Sequence, residues 1–321
     1  MNKVKEFIGI DVSRDVLDVY SPSNGHLQFK NNHIGFKALL KVLPVNVHCV
    51  MEATGYYHVQ LAYFLFARGR AVSVENPLKV KRFIQMRLSK VKTDKSDAKM
   101  IFEYALHQDL RLWKGDSRSQ QECLQILRLL NVYTKQATQL KNKLHGESTL
   151  GTPSLAVVRS LKRQLKNIKK EMAKLEIHLA EKVKLEYGRE MGLLKTIPGI
   201  GQKTALLLLV FTDGFKRFDK ASELCSYAGI TPTIRESGSS VKGRPRMSKM
   251  GNPKLRNLLF MCSFNACKYN KACKALYGRI VAKGKSKKLA LIAVCNKLLK
   301  QAFAIVKSGL PYDEKFVSKL A

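Results

Sequence analysis

Acidic residues are scarce in this 321-residue chain, and over one long stretch they are missing altogether. Asp and Glu total 24 against 58 Lys and Arg, for a formal net charge of +34 and a pI near 10.0. Solubility does not need that much charge. It implies a polyanionic partner, most simply nucleic acid, with an anionic membrane surface as the rival. From Ser237 to Tyr312 there are 17 Lys/Arg and no Asp or Glu, so chemistry that depends on carboxylates has to be housed in the N-terminal part. No apolar run reads as approaching the ~18 residues of a spanning helix, and "MNKVKEFIGIDVS" meets Asp11 before a signal-peptide core can form. A cytoplasmic protein with no membrane partner is expected. The seven cysteines are an odd number with no CxxC pair, and Cys262, Cys267 and Cys273 lack paired zinc-ligand spacing. Buried, reduced thiols are the expectation.

Hydrophobic residues make up 45% of the chain, enough for real cores. The segments "FIGIDVS", "VLDVYSP", "HLQFKN", "VHCVMEA" and "AVSVEN" read as strands, the first three as a meander. "GFKALLKVL" and "YYHVQLAYFLFARG" read as helices, with further helices starting near Pro77 and Ser96. This α/β domain spans residues 1–112. Over residues 113–187 the composition shifts to Leu, Lys, Gln and Glu with apolar residues every three or four positions. That predicts two long helices, a coiled-coil linker broken near "HGESTLGTPS" that also serves as a dimerisation arm. Residues 188–321 read as a third, mainly helical domain. It opens on "LLKTIPGIGQKTALLLLV", where Pro198-Gly199-Ile200-Gly201 between two apolar helices is similar to a helix-hairpin-helix, with Lys203 beside the turn. An ordinary turn between two helices is the alternative.

The acid-free stretch interleaves its cations with helix-forming apolar residues, as in "LRNLLFMCSFNACKYNKACKALYGRI". It is therefore a folded basic surface rather than a tail, suited to holding backbone phosphates. Lys242, Arg244, Arg246, Lys249, Lys254 and Arg256 are its candidate nucleic-acid contacts. Its first part, "IRESGSSVKGRPR", is either a solvated linker or a loop that presents a hydroxyl to a phosphate.

Four carboxylates form the other candidate site. Asp11 ends the apolar strand "FIGID", and Glu52 stands in the same position in "VHCVMEA". Asp94 and Asp97, three residues apart at a helix start, share one face. Clustered carboxylates repel unless a cation sits among them, and such hard oxygen donors suit Mg²⁺, two of which would serve phosphodiester cleavage. Strand-end Asp, strand-end Glu and a helical Asp pair in that order are typical of ribonuclease H-like nucleases. Asp15, Asp18 and Glu75 lack the combined placement, Glu75 being the best substitute. Taken singly, Asp94 has a helix cap as its alternative reading.

"GIDVSRDVLDVY", "MEATGYY", "KTDKSDAKMI", "LLKTIPGIGQKTA" and "YAGITPTIRESGSSVKGRPRMSKMGNPKLRNLLF" together resemble the DEDD transposases of the insertion-sequence one-ten family, relatives of the pilin-gene invertases, almost from end to end. The resemblance implies a RuvC-like, ribonuclease H-like N-terminal domain carrying the four acids. A coiled coil and a C-terminal transposase domain with a nucleophilic serine follow. The acids fall on Asp11, Glu52, Asp94 and Asp97. The serine falls on Ser237, which directly precedes glycine, with Ser239 and Ser240 close by. The segment between Asp11 and Glu52 is short for the family. The resemblance further implies Mg²⁺, double-stranded donor and target DNA, a structured non-coding guide RNA, and a homo-oligomer: a dimer, and a tetramer in the active complex at the bacterial nucleoid. The alternatives are a water-using, Holliday-junction-type metal endonuclease, a site-specific DNA invertase, or a non-enzymatic architectural protein.

Overall fold

The computed structural model describes residues 6–87, 94–234, 236–237, 241–243 and 246–315, with backbone alone at 94–95, 236–237 and 241–242. The chain divides into two compact units, Met1–Asp116 and Ser117–Ala321.

In the first unit β1 (Glu6–Val12), β2 (Val16–Ser21) and β3 (Gly25–Lys30) form an antiparallel meander. On the other side of β1, β4 (Val47–Glu52) and β5 (Ala71–Glu75) add in parallel, so the sheet order is β3-β2-β1-β4-β5. Parallel strands covered on both faces are expected to be continuously apolar, and β4 buries five of its six residues. Side-chain alternation divides the packing between the two faces. Ile8, Ile10, Cys49 and Met51 pack with Phe36, Leu39, Leu61 and Leu65 of α1 (His33–Val42) and α2 (Tyr57–Phe66). Val50 packs with Val80, Phe83, Ile101 and Tyr104 of α3 (Pro77–Met86) and α4 (Asp94–His107). Asn32 and Asn76 cap α1 and α3 by accepting from the amides of Gly35 (2.9 Å) and Leu78 (2.8 Å). The meander and the mixed sheet agree with a ribonuclease H-like domain. α4 starts two residues ahead of Ser96 because Asp94 already lies in its first turn.

In the second unit α5 (Arg118–Thr149) and α6 (Leu155–Lys195) run antiparallel, roughly 50 and 60 Å long at 1.5 Å per residue. Glu122 of α5 ties them, taking His178 at 2.9 Å and Lys182 at 2.7 Å, and these two partners hold its carboxyl below the usual range. α6 bends at Tyr187 (φ −131, ψ 32). The Tyr187 ring lies where a Cβ on Gly214 (φ +59) would come within 2.7 Å of it, and its hydroxyl donates to Asp213 at 2.6 Å.

The remaining helices α7 (Gln202–Thr212), α8 (Ala221–Ala228), α9 (Pro253–Tyr269), α10 (Lys271–Ala282) and α11 (Lys287–Ser308) enclose a core that includes Leu208, Leu224, Leu259 and Leu298. Gly199 (φ +106) lets the turn before α7 press on α9, since a Cβ there would sit 2.8 Å from that of Ala266. Eleven helices are present among the described residues. One expectation needs correcting. α11 has 22 residues, and its most apolar 18-residue stretch has a mean hydropathy of 1.7, so by length and composition it is apolar enough to cross a membrane. Its length was hidden by lysines spaced along it, and Val294, Leu298, Leu299 and Ala302 bury its apolar face within this unit. The seven cysteines are free, and burial pushes the Cys49, Cys273 and Cys295 thiols up to about 12.

Candidate active site

The sheet register lines up four carboxylates across one face. β1 and β4 pair in parallel with Ile10 opposite Met51, so the next residues, Asp11 and Glu52, stand side by side. Asp11 is also the partner of Asp18 on β2, and Glu52 that of Glu75 on β5. The row across the strands is therefore Asp18, Asp11, Glu52, Glu75, with adjacent strands ~4.8 Å apart. Its outer members are buried and engaged within the fold. Asp18 accepts from His26 Nε2 at 2.8 Å and Gln28 Nε2 at 3.2 Å. Glu75 accepts from the Tyr104 hydroxyl at 3.0 Å and lies 3.6 Å from Lys79 Nζ. The central pair, Asp11 and Glu52, is only half-buried.

Gly9 sets how closely the helix carrying the other two acids approaches. A Cβ on Gly9 would lie 2.2 Å from the Ala98 carbonyl oxygen and 2.4 Å from the Phe102 nitrogen, so α4 is seated directly on β1. Gly9 and Asp11 share a face by the strand period, which makes that face the one α4 covers. Asp97, half-buried, is the neighbour of Ala98 on that helix. Asp94 lies in the first turn of α4, and its side chain is outside the described residues. Among the described residues no three His, Cys, Asp or Glu side chains group closely enough to hold a metal ion.

Tyr104, two turns beyond Asp97, fastens α4 to β5 through Glu75. Burial first, and the bond to Glu75 second, push its phenol up, so it remains a donor across ordinary pH. Tyr104→Phe keeps the edge contact with Phe83 (5.5 Å) but removes the donor to a buried acceptor. Urea denaturation of this unit is expected to report a loss of about 1–3 kcal/mol.

The serine candidate lies in the second unit, on a nested hairpin. β6 (Pro232–Thr233) pairs with β9 (Arg246–Met247), and β7 (Glu236–Ser237) pairs with β8 (Val241–Lys242) further out, with Ser237 opposite Val241. Ser237 is thus the last residue of β7. Its side chain and that of Lys242, together with Ser239, Ser240 and Arg244, are outside the described residues. The root of the hairpin is tightly built. Arg256 donates to the Ala228 carbonyl at 3.0 Å, the Asn252 amide donates to Tyr227 at 2.7 Å, and a Cβ on Gly251 would meet the Tyr227 oxygen at 2.3 Å. Lys249 takes a left-handed φ of 55 and is exposed, as are Arg246 and Lys254. Lys203 projects from the first turn of α7, 3.4 Å from Glu176.

The row itself adds Asp18 and Glu75 to the carboxylates singled out from sequence. The β1–β2 hairpin register is the signal that finds Asp18, and the equal strand-end placement of Glu52 and Glu75 is the signal for the other.

Two family models match the chain in sequence order. A DEDD transposase domain covers residues 8–150, and the "Transposase IS116/IS110/IS902 family" domain covers residues 191–278. The pilin gene-inverting proteins of Moraxella bovis and Moraxella lacunata are each 29% identical to it across 97% of this chain and 98% of their own. A transposase for insertion sequence element IS1111A from Coxiella burnetii is 22% identical over 91% of this chain and 87% of its own. With an acid-bearing mixed sheet ahead of a basic helical unit, and both domains matched in order, the chain belongs to the IS110/IS116/IS902 family of transposases.

Proposed function

We propose that this transposase is an RNA-guided DNA recombinase that exchanges strands through a covalent link between Ser237 and DNA. The observation that carries the reading is the half-buried Asp11–Glu52 pair at adjacent strand ends, on the face where Gly9 seats the helix of Asp94 and Asp97. Carboxylates are hard oxygen donors of the type that suits Mg²⁺, and Asp11, Glu52, Asp94 and Asp97 are the proposed ligands. Bound there, Mg²⁺ supplies charge neutralisation at the phosphate and eases ionisation of the attacking hydroxyl.

In the proposed step the Ser237 Oγ attacks a DNA phosphate. The Oγ–P bond forms, the P–O3′ bond breaks, and the hydroxyl proton ends on the departing 3′ oxygen. In the return step a 3′-hydroxyl of the exchanged strand attacks the phosphoserine, and Ser237 recovers its proton. One phosphoester replaces another each time, so no ATP is consumed. Lys242, Arg244, Arg246, Lys249, Lys254 and Arg256 are the proposed holders of backbone phosphates, with Lys203 as a contact at the turn resembling a helix-hairpin-helix. The guide RNA follows from the family resemblance, and the net charge of +34 suits a protein that holds both RNA and DNA. The α5–α6 arm is proposed as a coiled coil that pairs with a second copy. Leu155, Ile177 and Leu185 on its exterior are 67%, 61% and 88% exposed. Similarity to the inverting proteins over nearly the whole chain favours inversion as a second outcome of the same chemistry.

The test uses the protein with its copurified RNA, donor and target duplexes and Mg²⁺, resolved on a denaturing gel. A protein–DNA adduct is expected, absent in Ser237→Ala and retained in Ser239→Ala. Cut strands without any adduct would mean that water attacks and that the protein is an endonuclease.

A further inference from the structure

We infer that α9 reads base pairs directly, lying in a DNA major groove beside the cleavage site. Its two faces separate at helical spacing. Leu255, Leu259, Cys262, Ser263 and Ala266 are buried. Lys254, Asn257, Met261, Phe264, Asn265 and Lys268, at i, i+3, i+7, i+10, i+11 and i+14, are exposed. Met261 is 65% and Phe264 44% exposed, although an apolar core lies on the other side of the same helix.

This composition is unusual for a face that only holds phosphates. Phosphates are held by cations and other hydrogen-bond donors and not by apolar side chains, whereas here the cations stand at the two ends, roughly 21 Å apart at 1.5 Å per residue, with amides and apolar side chains between them. Amides pair with the N6 and N7 edge of adenine, and apolar side chains pack on the thymine methyl, two features of the major groove. The partner's sign is set by charge. α9 lies inside the stretch from Ser237 to Tyr312 that carries 17 Lys/Arg and no acid, which suits a polyanion and repels a second basic copy. A-form RNA is a poor fit, because its major groove is too narrow for side chains to read. The half-buried Asn252 cap and the Arg256 bond to Ala228 fix α9 to the root of the Ser237 hairpin, so base contacts by α9 would set where that hairpin stands on the duplex. The protein would thus contribute a short A·T-containing motif of its own beside whatever the RNA pairs with. The inference holds whichever serine attacks.

The experiment measures binding rather than cleavage, so its outcome is independent of the covalent mechanism. The full-length protein without RNA is used to select duplexes from a randomised DNA library, and affinities are then measured for the selected and a scrambled duplex. A short motif containing adenine and thymine is expected. Replacing its thymines with uracil, or its adenines with 7-deazaadenine, should weaken binding about tenfold. N257A and N265A should lose the preference while binding the scrambled duplex as the wild type does. K268A should weaken both duplexes equally and shallow the salt dependence by about one unit. Three results would overturn the proposal: no enriched motif, equal weakening of both duplexes by the two Asn variants, or a Met261→Glu variant that changes the protein's sedimentation but leaves duplex preference intact. The last would mark α9 as an interface between copies.

Discussion

Asp11→Asn is expected to lower DNA strand cleavage by roughly a thousandfold, corresponding to the several kcal/mol that a metal clamp contributes at a transferring phosphate. The substitution keeps the shape of the side chain and removes one negative charge from the middle of the Asp18, Asp11, Glu52, Glu75 row. Because that row concentrates like charge, losing one member relieves repulsion. Thermal denaturation should therefore find the variant within about 1 kcal/mol of the wild type. Retained fold with lost cleavage is what distinguishes a ligand from a structural residue. An Asp11→Asn protein that still cleaves at the wild-type rate would show that Asp11 is not a ligand the chemistry needs. Chelation of divalent cations should reproduce the loss in the unaltered protein, and added Mg²⁺ should reverse it.

Gly9→Ala is expected to harm both stability and activity, because the added methyl meets backbone rather than a movable side chain. The Ala98 oxygen at 2.2 Å and the Phe102 nitrogen at 2.4 Å both belong to α4, so the whole helix has to shift to reach ordinary contact. Overpacking of this kind costs about 1–3 kcal/mol. Asp97 moves with the helix, and displacing a reacting group's support by about 1 Å costs about a hundredfold in rate. Cleavage should thus fall further than stability alone explains. Hydrogen exchange should quicken along α4 and stay unchanged in α7 and α9, which belong to the other unit. A Gly9→Ala protein with wild-type cleavage would show that the seating of α4 on β1 does not matter to the chemistry.

Much of this arrangement was legible in the residues. Central parallel strands buried on both faces read as unbroken apolar runs, so the first polar residue at each end, Asp11 and Glu52, stood out. The helix holding Asp97 was visible from its periodicity. What could not be read was register. Asp18 looked like one of several scattered acids because its place beside Asp11 depends on how the β1–β2 hairpin pairs. Glu75 joined the row only once β5 was known to lie next to β4. The role of Gly9 was equally hidden, since its partner helix lies some ninety residues along the chain and a strand glycine alone gives no sign of what approaches it. The apolar length of α11 is hidden in the sequence for a local reason. Lys297 and Lys300 interrupt its apolar run in sequence, yet a helix rotates successive residues by 100°, and its buried face stays continuous.

The hairpin raised the opposite difficulty. Its serines are obvious in "IRESGSSVKGRPR", but choosing among them rests on the glycine that follows Ser237 and on the resemblance of the surrounding motif. The backbone places Ser237 at the end of β7, opposite Val241, on a root held by Arg256, Asn252 and Gly251. A paired strand end on a rigid base suits a nucleophile that has to return the strand it has taken. The most direct measurement is mass spectrometry of the proteolysed protein–DNA adduct, locating the modified residue in the peptide that contains Glu236–Ser237. Phosphodiester linkage at Ser237 is the expected result, and linkage at Ser239 or Ser240, or to no residue at all, would contradict it.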